Sequence, residues 1–223
     1  MTNDKIIVPQ GAEYAAVCRG LKQAQSKIEV ISIPIGVNSV VATLKDYRSS
    51  QQLQRILILG LCGSLSNDLK VADVVIYRGC YNLQHHFVEC SPTFSNLITQ
   101  KLTRSIITVN ALTSDRVICQ ASEKLALSKN YPATVVDMEG FAYLRQLQHQ
   151  NLEVAIVRVV SDDITGDIPN LANSIDKNGN LLPLAMSIAM LRQPIAASRL
   201  IRGSLIGLKV LQQVTRELFK EDL

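Results

Sequence analysis

Tryptophan is absent from the 223 residues, and the other aromatics are scarce, with six Tyr and four Phe. A close-packed core must therefore be built from aliphatic side chains, and a nucleic-acid surface that stacks bases on aromatic platforms has little to work with. Long apolar runs are lacking too. The most apolar late stretch, Leu181–Leu191, carries Pro183 and Ser187 and falls short of the roughly 20 residues that cross a bilayer. The opening Met1-Thr2-Asn3-Asp4-Lys5 has no extended apolar region of the kind a secretion signal needs, so the expected location is cytoplasmic. The cysteines, Cys18, Cys62, Cys80, Cys90 and Cys119, are odd in number and never spaced as a zinc-clamping pair. Reduced thiols and no metal are expected. Lys and Arg exceed Asp and Glu only slightly, for a net charge of +4, and no dense basic cluster offers nucleic acid an electrostatic footprint.

What is present is aliphatic and periodic. Short apolar runs alternate with helix-like segments, the pattern of a mainly parallel sheet covered on both faces, and the length fits one α/β domain over residues 1–223. Strands are expected at Lys5–Pro9, Ile28–Pro34, Arg55–Gly60, Asp73–Cys80, Ser105–Ala111, Thr134–Met138 and Glu153–Val160, whose β-branched content suits burial on both sides. Helices are expected at Ala12–Leu21, with Gly20 near its end as a stop, at Ser39–Tyr47, Ala121–Lys129 and Glu139–Gln150, and in a C-terminal extension over 181–223. Asn82–Asn96 and Asp163–Asn180 read as loops, and loops of that length are often functional.

Three segments carry chemistry. In the first, the run Leu57–Leu59 ends in the small-residue turn Gly60-Leu61-Cys62-Gly63-Ser64, followed by Leu69-Lys70-Val71-Ala72-Asp73-Val74-Val75. Such a turn brings backbone amides close to a ligand at the carboxyl end of a strand, or simply packs tightly. Its glycine spacing fits neither a dinucleotide fingerprint nor a phosphate-binding P-loop. In the second, Val135-Val136 meets Asp137-Met138-Glu139-Gly140, where carboxylates either serve a site or favour a helix N-terminus. In the third, Val157–Val160 delivers Ser161-Asp162-Asp163. Neighbouring strand side chains point to opposite faces, so one of the two aspartates faces a given cleft. The other opens the Asp163–Asp167 bend.

In this order the segments resemble the purine nucleoside phosphorylase and methylthioadenosine/adenosylhomocysteine nucleosidase superfamily, over about residues 5 to 165. Gly60–Leu65, Leu69–Val75, Met138-Glu139 and Ser161-Asp162 carry the likeness. The resemblance implies a three-layer fold with a mixed, mostly parallel sheet, no cofactor beyond water or phosphate as co-substrate, a small nucleoside as ligand and a homo-oligomer. It implies that Glu139 accepts hydrogen bonds from the ribose 2′- and 3′-hydroxyls over Met138, and that Asp162, beside Ser161, protonates the leaving base. It also implies that Cys62 and Gly63 line the site while Val117 and Ile118 flank the purine, with Arg158, Asp137 and Ser64 in support. Breaking a glycosidic bond leaves positive charge on the sugar and negative charge on the base, which calls for an acid at one end and electron-rich contacts at the other. Asp162 is then expected in a dry, protonated state and Glu139 ionised.

The sequence departs from that pattern at several points. Where bacterial phosphorylases of the family hold phosphate with an Arg before the turn and a Ser or Thr within it, this chain has Ile58 and Leu61. The second turn glycine is Ser64, whose hydroxyl points at the sugar or bonds its own backbone. Glu13 matches the water-activating acid of the nucleosidases, or is an ordinary first-turn helix carboxylate. Hydrolysis is favoured over phosphorolysis, with Arg19, Arg78 and Arg116 as candidates for a rearranged phosphate site. Val117 stands where nucleosidases stack an aromatic on the base, so Tyr81, Phe87 or Phe94 is expected to enter the pocket unless it is remodelled. His85-His86 reads as surface. At the C-terminus Ile201, Leu205, Leu208, Leu211 and Leu218 form one stripe and Arg199, Arg202, Lys209 and Arg216 another face, which fits a helix packed on the sheet or a second subunit, or a peripheral membrane contact. The tail also resembles a hopanoid-biosynthesis branch that acts on a lipid-linked adenosyl group, and a silent nucleoside-binding relative remains a third reading.

Overall fold

The computed structural model describes residues 4–45, 47, 54–148, 152–171, 174, 176, 180 and 182–220. Parts of four segments read from the sequence, at 46, at 149–150, within 163–180, and at 181 and 221–223 of the C-terminal extension, lie outside them. Among the described residues eight strands form one sheet: β1 Lys5–Pro9, β2 Glu29–Ile33, β3 Gln54–Ser64, β4 Val74–Tyr81, β5 Phe87–Glu89, β6 Ile107–Thr113, β7 Val135–Asp137 and β8 Leu152–Asp162. Pairing is parallel for β1 with β2 and β3, for β3 with β8, for β4 with β6 and for β6 with β7. It is antiparallel for β3 with β7, β4 with β5 and β4 with β8. Since β3 pairs with both β7 and β8, the circuit β3–β7–β6–β4–β8 closes on itself.

Both faces of the sheet are buried, which is why its strands read as continuous apolar runs. Alternation sorts the side chains: Ile7, Ile58 and Ile156 enter one core cluster, while Ile6, Leu59 and Val157 enter another. The first cluster is covered by α2 (Val37–Leu44) and α5 (Gly140–Leu147). The second lies under α1 (Ala12–Ala24), α3 (Pro92–Lys101) and α7 (Pro194–Phe219). Two further helices, α4 (Ala121–Asn130) and α6 (Pro183–Arg192), complete the described elements. No helix among the described residues is long and apolar enough to cross a membrane.

Three expectations are corrected. Gly20 does not stop α1, which runs on to Ala24. A Cβ at Gly20 would lie 2.5 Å from the Gln212 carbonyl oxygen, so the residue marks a close approach of α1 and α7. The segment Asn82–Asn96 is not a plain loop. The Asn82 side chain accepts from Gln84 and His86 amides to make a tight turn, the chain returns as β5, and α3 starts at Pro92 with Ser91 capping the Phe94 amide. The C-terminal stripe is split. Leu211 and Leu218 are in the core, whereas Ile201 and Leu205 are exposed. The buried seam of the first half of α7 is glycine: at Gly203 a Cβ would fall 2.0 Å from the Ser161 carbonyl oxygen, and at Gly207 3.1 Å from Leu61.

That seam makes a prediction with a definite sign. A Gly→Ala change inside a helix ordinarily stabilises by roughly 0.5–1 kcal/mol, but Gly203→Ala must push α7 off the end of β8 and is expected to cost about 1–3 kcal/mol. Urea unfolding of the two proteins measures it, and an unchanged or higher midpoint contradicts the contact.

Candidate active site

The carboxyl ends of β3 and β8, the junction of β7 with α5 and the first turn of α1 meet at one cavity of about 220 Å³. That is below the ~300 Å³ lower end for drug-sized ligands and suits a compact molecule. Leu61, Cys62 and Gly63 form one wall, and Met138 and Glu139 another. Ser161 and Asp162 close a third side, facing Val117 and Ile118, and Glu13 enters from α1. No aromatic residue lines the cavity among the described residues: Tyr81 packs against Phe87 with the rings tilted, and Phe94 points from α3 into the core. The aromatic expected to enter is therefore not supplied, and aliphatic side chains form that wall.

Behind the cavity sits Arg158, fully buried. Its guanidinium lies 3.5 Å from Asp137, 3.5 Å from Glu139 and 3.9 Å from Glu13. Burial opposes its charge, but the carboxylates of Asp137, Glu139 and Glu13 more than offset this and hold it protonated. The arrangement requires Gly60, because a Cβ there would lie within 1.9 Å of the Arg158 guanidinium and 2.7 Å of Glu13. Gly63 plays the same part for Asp162, whose Oδ2 would sit 2.8 Å from an added Cβ.

The carboxylates divide their work. Asp137 Oδ1 accepts from the Thr113 hydroxyl at 2.8 Å and from the Gly140 amide at 3.1 Å, which anchors the start of α5. Glu139 makes no cap; it accepts from the Gly36 amide at 3.0 Å and faces the cavity. Glu13 accepts from the Leu61 amide at 2.6 Å. One cation against three carboxylates leaves negative charge in excess. Burial accordingly raises Glu13, with Arg158 partly offsetting it, and pushes Glu139 up to about 7 against the same opposition.

Asp162 is set differently from expectation. Its Oδ1 lies 2.8 Å from the Ser161 hydroxyl, and its Oδ2 is ion-paired with Lys124 Nζ, which also donates to the Asp163 carbonyl at 3.0 Å. Asp162 is buried, as expected, but its carboxyl is ion-paired with Lys124, and Glu139, expected to be firmly ionised, is the carboxyl pushed up to about 7. Lys124 was missed because Ser122-Glu123-Lys124-Leu125 looks like a solvated helix face. The buried end of its side chain depends on contacts 38 residues away. Asp163 turns outward, bonding Thr165 and Arg199. Ser64 is engaged with Ser66 through both donor and acceptor, which matches the backbone reading of its hydroxyl. Burial raises the Cys62 thiol far above its usual range, which disfavours a thiolate there. Of the candidate phosphate arginines, Arg116 borders the cavity but is paired with Glu123. Arg19 bonds Gln212 away from it, and Arg78 is exposed on β4.

A closed mixed sheet with carboxylates converging at strand ends around a compact cavity defines an α/β protein with a candidate small-molecule site. Residues 12–184 match the profile of the phosphorylase superfamily, and the chain belongs to that family, whose members act on N-glycosidic bonds. A purine nucleoside phosphorylase of the DeoD type from Buchnera aphidicola is 22% identical over 147 residues, 59% of this chain; the chain spans 62% of that relative's length. The fold is shared with a putative 5′-methylthioadenosine/S-adenosylhomocysteine nucleosidase from Francisella philomiragia (TM-score 0.68, 14% identity, 99% of this chain and 100% of that one). It is shared also with the Helicobacter pylori futalosine hydrolase (TM-score 0.64, 16% identity, 95% and 96%).

The raised carboxyls predict how stability varies with pH. An unfolded Glu loses its proton near pH 4.5, whereas Glu139 in the fold holds it to about 7. Between those values the folded state binds more protons, so its stability is full below the lower value and is lost as pH rises through the upper one. Melting wild type and Glu139→Gln from pH 4 to 8 is expected to show wild type losing ground steadily against the variant. Parallel curves would mean that Glu139 is not raised.

Proposed function

We propose that the protein hydrolyses the N-glycosidic bond of a purine nucleoside, releasing the free base. The observation that carries this reading is the pairing of Glu13 with the Leu61 amide at 2.6 Å. A carboxylate occupies the backbone donor of the small-residue turn, where an anionic co-substrate would otherwise be received, and like charge repels phosphate. The same carboxyl, whose hold on a proton is raised by burial, is suited to act as general base toward water.

In this reading Glu13 accepts a proton as the water oxygen bonds to C1′. The C1′–N bond breaks with its electron pair moving into the base, and the base takes a proton from the Asp162 side of the cavity. Glu139, ionised when hydroxyl groups donate to it, grips the ribose above Met138, a charge-assisted contact of about 1.5–3 kcal/mol. Arg158 lends one positive charge to both glutamates, and Val117 and Ile118 exclude water around the base. Hydrolase relatives in fold, the nucleosidase and the futalosine hydrolase, support water as nucleophile. Arg116 at the cavity edge is the feature that favours phosphorolysis as the second reading, and using it as a phosphate ligand requires releasing Glu123.

The test is to incubate the protein with adenosine, inosine, guanosine and methylthioadenosine, with and without phosphate, and to follow free base. Release independent of phosphate is expected; release only with phosphate replaces hydrolysis by phosphorolysis, and nucleoside binding without release reduces the protein to a binding module. Asp162→Asn and Glu13→Gln are each expected to lower kcat by about 10²-fold or more with KM little changed. Wild-type turnover in either variant removes that residue from its role.

A further inference from the structure

The structure assigns a proton-supplying role to Lys124: its ammonium, sealed behind Asp162 and out of the cavity, delivers through Asp162 the proton that the departing base takes. The inference rests on the glycosidic-cleavage reading and deepens it by naming the source of the proton.

Lys124 is fully buried and is the one buried residue of α4. A helix docked through an ammonium is a costly choice, since burying a charge costs several kcal/mol unless it is well paired, and an apolar side chain would dock α4 without that cost. The partner it finds is the cavity-lining Asp162, with the Asp163 carbonyl as a second acceptor at 3.0 Å. Both oxygens of Asp162 are thus engaged, one by Lys124 and the other beside Ser161. No other ion pair reaches Asp162 among the described residues, because Arg116, the nearby cation at the cavity wall, is held by Glu123. A carboxylate in this setting reaches the acid form by taking a proton from the group already bonded to it. An ammonium can give up a proton in this way, whereas a guanidinium keeps its proton.

The step balances. As the C1′–N bond breaks, its electron pair stays on the base. A base nitrogen takes a proton from Asp162, Asp162 takes one from Lys124 Nζ, and Lys124 is left as a neutral amine. The proton that water yields to Glu13 leaves to solvent, and Lys124 regains one from solvent when product departs. Lys124 touches no substrate atom; it acts through Asp162 as a positioning and proton-storing residue.

Lys124→Arg keeps the positive charge and the ion pair but removes the transferable proton, while Lys124→Met removes both. The probes are whichever purine nucleoside the wild type turns over and 4-nitrophenyl riboside, whose leaving group departs as a stable anion without protonation. For both variants kcat on the purine nucleoside is expected to fall about 10²-fold with KM within about threefold, and 4-nitrophenol release is expected to stay within about threefold of wild type. Because Lys124→Arg retains the pair, it decides the matter if Lys124→Met does not fold. Full purine turnover by Lys124→Arg, or equal losses on both substrates, overturns the proposal and leaves cleavage intact. A wild type that releases base from no nucleoside overturns the functional reading and this inference with it.

Discussion

One buried guanidinium organises the molecule. Arg158 stands on β8 between β3 and β4, where no water can compensate its charge, and an unpaired charge in such a place would be strongly destabilising. Its compensation comes from three carboxylates on separate elements: Glu13 from α1, Asp137 from the end of β7 and Glu139 from the start of α5. Balancing the arginine's charge therefore draws those elements together. It also leaves more carboxylate than cation at the edge of a cavity, so the demand of the fold and the chemistry of the site are one arrangement. Burial is what makes Glu13 and Glu139 hold protons more tightly than a solvated glutamate, with Arg158 partly offsetting it.

The glycines of the small-residue turn follow from this constraint. Gly60 makes room for Arg158 and Glu13, and Gly63 for Asp162. The missing side chains accommodate the protein's own charged groups. The Leu61 amide of the same turn is given to Glu13, so the turn is tied to α1 by a carboxylate as well as to β8 by Arg158 and Asp162.

Much of this was legible in the sequence because the signals are local. Strands buried on both faces need unbroken β-branched runs, so β1, β4 and β8 were found within a residue or two of their observed ends. Strand-end carboxylates announce themselves where an apolar run stops at an acid, as at Asp137 and Asp162. What was not legible depends on partners far along the chain. Gly20 looks like a helix stop until α7 lies against it. Lys124 looks like a solvated lysine until Asp162 is beside it. The burial that raises Glu139 and the ion pair of Asp162 with Lys124 arise only through the tertiary fold, so neither could be read from the local sequence. Ser64 illustrates the converse: its local turn with Ser66 was one of two readings, and the short-range bond holds.

The C-terminal helix belongs to the same argument. Its second half is anchored in the core by Leu211, Val214 and Leu218, while its first half meets the rest of the protein through Gly203 and Gly207, directly over Ser161 and Leu61. Those two residues are the ends of the strands that carry Asp162 and the cavity wall. A helix that approaches so closely cannot shift without moving the Ser161 carbonyl, and Ser161 in turn lies against Asp162 and the Cys62 carbonyl. Two cations brace Asp162 and its neighbour from opposite helices, Lys124 of α4 at Asp162 and Arg199 of α7 at Asp163. The strand end is therefore clamped by backbone contact on one side and charge on both. Such rigidity is what a site needs if a proton is to pass between groups held within hydrogen-bond reach, since small displacements of the donor are costly in rate.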